Sequence, residues 1–259
     1  MPTATINGIE ISYSDTGGAG LAVVLSHGIL MDQSMFGPQV HALAPDFRVI
    51  TWDQRGHAQT TAPGPFSYWD SAKDVLALLD HLGIDRAVLG GMSQGGFLSL
   101  RAALLAPDRV RGLILIDTQA GVEDPAVAEG YEQLHEVWRT QGPGPVQEIV
   151  SAIILGPGEW DDWYAKWAAA DIEQFTLAFR CLVDRDDITG RLGEIGCPAL
   201  IVHGTADAAI PVAKAEAMRA GLAGRSELAL IDEGTHASNV SHPAQVSEAI
   251  MTFLVSLEP

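Results

Sequence analysis

The chain has 259 residues and a formal charge of -18, with 33 acidic and 15 basic side chains. Its hydrophobic content of 47% is sufficient to bury the core of a single domain of this length. A negative field of this size repels polyanions, so the composition excludes nucleic acids and anionic membrane surfaces as partners.

The N-terminal part of the chain predicts a sheet that begins with antiparallel strands. Two alternating apolar runs flank the turn pair Asn7-Gly8, which is typical of a β-hairpin. From Leu21 onwards apolar strands alternate with helical patterns, for example over residues 70–82, where apolar side chains recur on one face. This alternation predicts parallel βαβ units with right-handed crossovers, and therefore an α/β fold.

The most informative segment follows the apolar run at residues 87–90. It reads Gly91-Met92-Ser93-Gln94-Gly95, a G-x-S-x-G pattern that continues directly into a helix-forming stretch. Small residues two positions on either side of the serine let a strand and a helix approach closely at a sharp turn, which presents the serine Oγ. The sequence therefore predicts that Ser93 is a nucleophile.

A nucleophilic serine requires a histidine base and an orienting carboxylate, which follow it in this order along such a sheet. Asp207 comes just after a predicted strand at residues 199–202, and His236 comes after another at residues 227–231. The spacing predicts a catalytic set of Ser93, Asp207 and His236. Asp117, at the end of the predicted strand 113–116, remains an alternative orienting acid.

Other polar residues lie in loops at the same edge of the sheet, and His27 is expected to be structural and to support its loop. His27, His57 and His203 lie there, but only His236 follows the last strand after the acid. We expect Asp53 and Arg55 to form a structural charge pair or to brace their loop. The two cysteines, Cys181 and Cys197, are expected to be reduced and structural.

These ordered motifs resemble the α/β-hydrolase superfamily over nearly the whole chain, and its 3-oxoadipate enol-lactonase and small carboxylesterase branch in particular. The resemblance implies one domain over residues 1–259, with a mostly parallel twisted sheet of about eight strands, an antiparallel N-terminal hairpin and flanking helices. The resemblance rests on His27-Gly28, Asp53 to His57, the Ser93 turn, Arg185 to Ile188 before Cys197-Pro198, and the Asp207 and His236 loops.

An oxyanion that forms on the substrate requires main-chain donors close to the nucleophile. The N–H groups of Gln94, directly after Ser93, and of Ile29, directly after His27-Gly28, are the expected pair. Leu30 is a close alternative to Ile29.

The strand alternation stops between residues 119 and 190, which predicts a helical cap over a core of residues 1–118 and 191–259. Such an insertion lies at the strand carboxyl ends, where α/β sheets bind ligands. The expected substrate contacts are Leu30, Trp138, Trp160, Trp163 and Arg180, although most aromatic residues of a cap simply pack it onto the core.

The charge of the predicted cap bears on the substrate. Residues 121–190 hold fourteen acidic and four basic side chains, a net charge of -10, which favours neutral esters or lactones. The resemblance favours an anionic enol-lactone, for which Arg180 is the candidate carboxylate ligand. We therefore expect hydrolysis of carboxylic esters, with lactones included.

Two other classes of function remain open. One is a C–C bond hydrolase or a cofactor-free perhydrolase that uses the same serine, and the other is a non-enzymatic sensor of small molecules. No metal-ligand spacing, phosphate loop or dinucleotide motif is present, so we expect no metal and no cofactor. The absence of a long apolar run or a signal-like N-terminus predicts a cytoplasmic protein without a membrane partner, and the oligomeric state stays open.

Overall fold

The computed structural model describes residues 1–257, in which eight strands form one sheet of order β1-β2-β4-β3-β5-β6-β7-β8. The strands are β1 (Thr3–Ile6), β2 (Ile9–Asp15), β3 (Ala22–Ser26), β4 (Arg48–Trp52), β5 (Ala87–Met92), β6 (Val110–Ile116), β7 (Ala199–Gly204) and β8 (Ser226–Ile231). β2 pairs antiparallel with β1 and with β4, and the other pairs are parallel. The predicted sheet and its N-terminal hairpin are confirmed.

Helices follow the strands in the order that the periodicity predicts. They are α1 (Gly37–Leu43), α2 (Tyr68–His81), α3 (Gln94–Leu105), α4 (Pro125–Gln141), α5 (Gln147–Ile154), α6 (Asp161–Ala169), α7 (Ile172–Val183), α8 (Val212–Gly221), α9 (Ser238–Ser241) and α10 (Pro243–Val255). Short 3-10 turns occupy Gln33–Phe36, Pro107–Arg109 and Thr189–Glu194. None of the helices within residues 1–257 has both the length and the hydropathy of a membrane span.

Two apolar clusters cover the two faces of the sheet. Along β3, Val24 belongs to the cluster that includes α2, α3 and α8, whereas Val23 and Leu25 belong to the cluster that includes α1 and α10. Successive side chains of a strand point to opposite faces, and strands covered on both faces read as continuous apolar runs. This explains why β3, β5 and β7 are buried at every position.

Local signals at the ends of the elements account for small differences from the predicted boundaries. α2 begins at Tyr68 rather than at residue 70, because Ser67 and Asp70 form a capping box. β7 continues through Gly204 and therefore contains His203, which was expected in a loop. His203 is fully buried there, so its ring is held by the core.

Four helices, α4 to α7, occupy the segment between β6 and β7 that was predicted as a cap. Their apolar side chains, including Trp138, Val150 and Phe175, join the cluster of the α1 and α10 face. The insertion therefore packs onto the sheet domain through a continuous apolar contact. This packing places α4, α5 and α7 over the Ser93 turn, where their side chains line a common cavity with Ser93.

Candidate active site

Ser93 lies at the sharp turn between β5 and α3 in a strained backbone conformation. Its φ is 51° and its ψ is -113°, a combination that L-residues rarely adopt. A Cβ atom added at Gly91 or Gly95 would overlap the main-chain oxygen of Ser26 in β3. Both glycines are therefore required for β3, β5 and α3 to approach closely enough to hold this turn.

Asp207 and His236 meet at the carboxyl edge of the sheet. His236 Nδ1 lies 2.9 Å from Asp207 Oδ2, and the main-chain N–H groups of Ala209 and Ile210 donate to Oδ1 at 2.8 and 2.9 Å. Burial raises the pKa of Asp207, but the charge of His236 and hydrogen bonds from His203 and His236 outweigh it and hold the pKa well below its ordinary value. Asp207 therefore stays ionised and can orient the imidazole.

Ser93 and His236 line the same cavity, and both residues are buried, with 4% of each exposed. Because Nδ1 of His236 faces Asp207, Nε2 is the ring nitrogen left for a proton transfer. No direct hydrogen bond joins the Ser93 hydroxyl to this ring in the described part of the chain. Such contacts commonly tighten only when a substrate is bound.

Asp117, the alternative orienting acid, accepts main-chain donors instead of an imidazole. Gly204 N–H donates to Oδ1 at 2.8 Å and Ser238 N–H donates to Oδ2 at 2.9 Å, while Asp117 itself has a φ of 46°. Burial and the charge of Asp207 raise the pKa of Asp117 to about 6. Since Ser238 follows His236 by two residues, Asp117 ties the end of β7 to the loop that carries His236.

One group of side chains has the spacing of a metal site. Asp117, His203 and Asp207 each place one ligand atom within 4.8 Å of the others. All four carboxylate oxygens already accept hydrogen bonds, from main-chain N–H groups or from the histidines. These carboxylate oxygens are therefore already occupied by contacts within the protein. The absence of a metal remains an expectation from the sequence.

The two residues that were expected to donate to an oxyanion lie near Ser93. Gln94 is the first residue of α3, and Ile29 lines the cavity in the loop after β3. A hydrogen bond from α6 holds this loop in place. Trp167 Nε1 donates to the main-chain oxygen of Leu30 at 2.7 Å. Leu30 has a φ of 61° and also lines the cavity.

The side chain of Gln94 is fixed by contacts that the sequence did not predict. Tyr68 Oη donates to Gln94 Oε1 at 3.1 Å, and Gln94 Nε2 lies 3.2 Å from His57 Nε2. His57 Nδ1 lies 2.9 Å from the main-chain oxygen of Arg55, so His57 donates through Nδ1 and accepts through Nε2. The only sequence signal for this network was the presence of polar residues after neighbouring strands.

His27 packs edge-on against His57, with 4.8 Å between the ring centroids. Its Nε2 accepts from Gln54 N–H at 2.9 Å, and its Nδ1 lies 2.8 Å from the oxygen of Gly28. Burial lowers the pKa of His27 to about 4, and burial together with His27 lowers that of His57 to about 3. Both rings are therefore neutral and structural, as expected for His27.

Asp53 and Arg55 do not form the charge pair that was one of the two expectations, and each braces its loop through a different partner, as the other expectation had it. Arg55 forms an ion pair with Asp74 of α2, whose side chain is fully buried. Asp53 accepts the Gln33 N–H at 3.0 Å, and burial raises its pKa. Asp53 and Arg55 are close in the sequence, but their side chains contact different parts of the fold. Arg55 contacts α2, and Asp53 contacts the 3-10 turn that begins at Gln33.

The cavity over Ser93 has a volume of about 80 Å³ and mostly apolar walls. Its walls are formed by Ile29, Leu30, Ser93, Glu123, Tyr131, Leu134, His135, Trp138, Val150, Ile153, Ile154, Phe175, Phe179, Leu182, Ala209, Ile210 and His236. None of these wall residues is a lysine or an arginine. Glu123, Tyr131 and His135 were not singled out in the sequence, because they become neighbours of Ser93 only when the cap folds over it.

Of the expected substrate contacts, Leu30 and Trp138 line the cavity, whereas Trp160, Trp163 and Arg180 lie outside it. Trp160 Nε1 donates to the oxygen of Gly156 at 2.9 Å, and Trp163 is covered by Lys166 Nζ at 4.1 Å from its ring centroid. Arg180 is 41% exposed and pairs with Glu132. The expectation that Trp160, Trp163 and Arg180 contact a substrate in this cavity is therefore corrected, because none of them lines it.

Comparisons with known proteins agree with this architecture. Residues 22–157 match the α/β hydrolase fold family. A protein named putative carbamate hydrolase RutD from Rhizobium rhizogenes is 32% identical over 90% of this chain and 92% of its own length.

Two solved structures superpose over nearly their whole length. A thermophilic esterase from Thermogutta terrifontis is 30% identical with a TM-score of 0.89, and the match covers 100% of this chain and 99% of the esterase. An enol-lactonase from Burkholderia xenovorans is 29% identical with a TM-score of 0.90, over 98% of this chain and 100% of the enol-lactonase. This chain belongs to the α/β-hydrolase superfamily, and the similarity includes the enol-lactonase branch.

Proposed function

We propose that the protein is a serine hydrolase that cleaves carboxylic esters and lactones through an acyl-enzyme. Ser93 Oγ attacks the carbonyl carbon, and His236 Nε2 takes the hydroxyl proton and then protonates the leaving oxygen. Asp207 holds the imidazole in the required tautomer and stabilises its charged form. Water, activated by His236, then attacks the acyl carbon and releases the acid together with free Ser93.

The observation that carries this proposal is the placement of Ser93 and His236 on one cavity wall, with His236 Nδ1 2.9 Å from the ionised Asp207. The strained backbone of Ser93 adds to it, because it presents Oγ beside the N-terminus of α3. The N–H groups of Gln94 and Ile29 are the proposed donors to the oxyanion, and one such donor is worth about 10²–10³ in rate. The esterase and enol-lactonase relatives support an acyl-oxygen substrate.

The test is a comparison of kcat/KM over neutral short-chain esters, simple lactones, a carbamate ester, a carboxylate-bearing enol-lactone and a dienoic diketo acid. Ser93→Ala and His236→Ala proteins, checked for fold by circular dichroism, are the controls. We expect ester or lactone hydrolysis that each substitution lowers by about 10⁴-fold or more. Mass spectrometry of the wild-type protein after reaction with a slowly deacylating ester should detect an adduct on Ser93 that is absent from Ser93→Ala protein.

Three outcomes would contradict the proposal. Turnover near the wild-type rate in either variant excludes the proposed catalytic set. Strong preference for a diketo acid over every ester would indicate a C–C bond hydrolase. Tight ligand binding with turnover no greater than that of Ser93→Ala would indicate a sensor.

A further inference from the structure

The cavity over Ser93 contains one carboxylate, that of Glu123, among its described wall residues. Glu123 lies in the loop between β6 and α4, and its side chain is 8% exposed. Both of its oxygens accept from Arg185, which follows α7, and the Nη2–Oε1 distance is 2.8 Å. Glu123 is the member of this bidentate pair that lines the cavity.

The guanidinium of Arg185 is occupied by protein groups. Its side chain is 1% exposed, and besides Glu123 it donates to the main-chain oxygens of Gly121 at 3.2 Å and Leu182 at 2.8 Å. Its other face lies over the ring of Phe97, 4.4 Å from the centroid. Arg185 is thus a buried cation next to the cavity whose charge Glu123 neutralises.

We propose that Glu123 is a specificity-determining residue that restricts the site to uncharged acyl chains. This inference rests on the proposed function. A substrate carboxylate in the cavity would face the Glu123 carboxylate, with no lysine or arginine among the described wall residues to pair with it. Because Glu123 lines the cavity and Arg185 does not, a substrate carboxylate would meet the negative end of this ion pair, and the repulsion in an apolar, desolvated site disfavours its binding.

The same geometry implies that removal of the Glu123 charge reverses the preference. Arg185 would then be a buried, unpaired guanidinium beside the cavity, and its planar donors fit a carboxylate in a bidentate manner. An acyl chain that ends in a carboxylate would supply the missing partner.

The test compares two methyl esters that differ only at the chain end, methyl pentanoate and monomethyl pentanedioate, by titration of the released acid. The measured quantity is the ratio of kcat/KM for the anionic ester to that for the neutral ester. We expect Glu123→Gln to raise this ratio at least tenfold, equivalent to about 1.4 kcal/mol. In the double variant Glu123→Gln/Arg185→Gln most of this gain should be lost, because the guanidinium that receives the carboxylate is absent.

Glu129→Gln is the matched control, because it removes one negative charge from an exposed position of α4. We expect no more than a twofold change in the ratio there. Measurements in 0.5 M salt, at which the Debye length is about 4 Å, separate the contact with Glu123 from the field of the whole chain. The effect of Glu123→Gln should persist in this salt.

If Glu123→Gln protein does not fold, Arg185→Gln provides the second measurement, since it leaves the Glu123 charge in place and should lower the ratio below that of the wild type. The inference is overturned if folded Glu123→Gln protein has the wild-type ratio, or if Glu129→Gln raises the ratio equally. Equal loss of both activities would indicate that the pair only braces the loop. If the wild type hydrolyses neither ester above the Ser93→Ala blank, the proposed function fails and this inference fails with it.

Discussion

The pair of buried histidines near the Ser93 turn predicts that the protein loses stability in mild acid. His27 and His57 each accept a hydrogen bond through Nε2, from Gln54 N–H and from the Gln94 amide. Protonation of either ring would place two donors face to face, and two imidazolium rings with centroids 4.8 Å apart would repel each other. The folded state therefore requires both rings to be neutral.

The direction and size of the effect follow from proton linkage. The pKa of an unfolded histidine is 6.5, whereas those of His27 and His57 in the fold are about 4 and about 3. Below pH 6.5 the unfolded chain therefore binds more protons, and the stability contributed by the two rings is lost as the pH falls towards 4. The free energy of unfolding falls by about 1.4 kcal/mol per pH unit for each ring, and therefore by about 2.7 kcal/mol per pH unit for the pair.

Asp117 acts in the opposite direction, because its pKa is raised from 3.8 to about 6 and its proton stabilises the fold at low pH. The contribution of one histidine is therefore best measured as a difference between two proteins. His57→Gln retains an acceptor near the position of Nε2 but cannot be protonated. The free energy of unfolding in urea should be measured for both proteins from pH 7.5 to pH 5.

We expect the stability advantage of the wild type over His57→Gln to shrink by about 1.4 kcal/mol per pH unit below pH 6. His41→Gln, which replaces an exposed histidine of α1, is the control for the substitution itself. If the wild-type and His57→Gln curves run parallel across this range, the reasoning that His57 stays neutral in the fold is refuted.

Three further predictions concern the Ser93 turn and its supports. Gly95→Ala places a methyl group against the Ser26 oxygen, so thermal denaturation should show a loss of about 3 kcal/mol or more, together with inactivity. Tyr68→Phe removes the donor to Gln94 Oε1, so urea unfolding should show a cost of about 1–3 kcal/mol, and kcat should fall more than KM rises. Asp207→Asn should lower kcat about 10⁴-fold at pH 7 with little change in KM, as steady-state kinetics on a neutral ester would show.

Features that depend on a few consecutive residues could be predicted from the sequence. The turn at Ser93 is specified by Gly91 and Gly95, whose missing side chains leave room for the approach of β3 to α3. The strands and helices follow from their apolar periods, because each period matches one regular backbone geometry. The prediction that Asp207 and His236 meet also needed only their places after parallel strands, whose carboxyl ends share one edge.

Partners chosen between distant segments could not be predicted in this way. The sequence offered Asp53 as the partner of Arg55, but the buried carboxylate of Asp74 lies closer in the fold. It also offered three tryptophans of the cap as substrate contacts, and only Trp138 faces the cavity. Helical spacing states which residues share a face, but it does not state which face the neighbouring helix covers.

The sequence by itself determined the α/β-hydrolase fold, the position of the sharp turn at Ser93 and the order of the proposed catalytic residues, since all of these depend on local backbone geometry and on strand order. Only the tertiary structure decided the charge inside the cavity. Glu123 and Arg185 are 62 residues apart, and their pairing depends on how α4 and α7 pack over Ser93. Side-chain packing between remote segments, which no local pattern encodes, therefore decides which charged groups line this cavity.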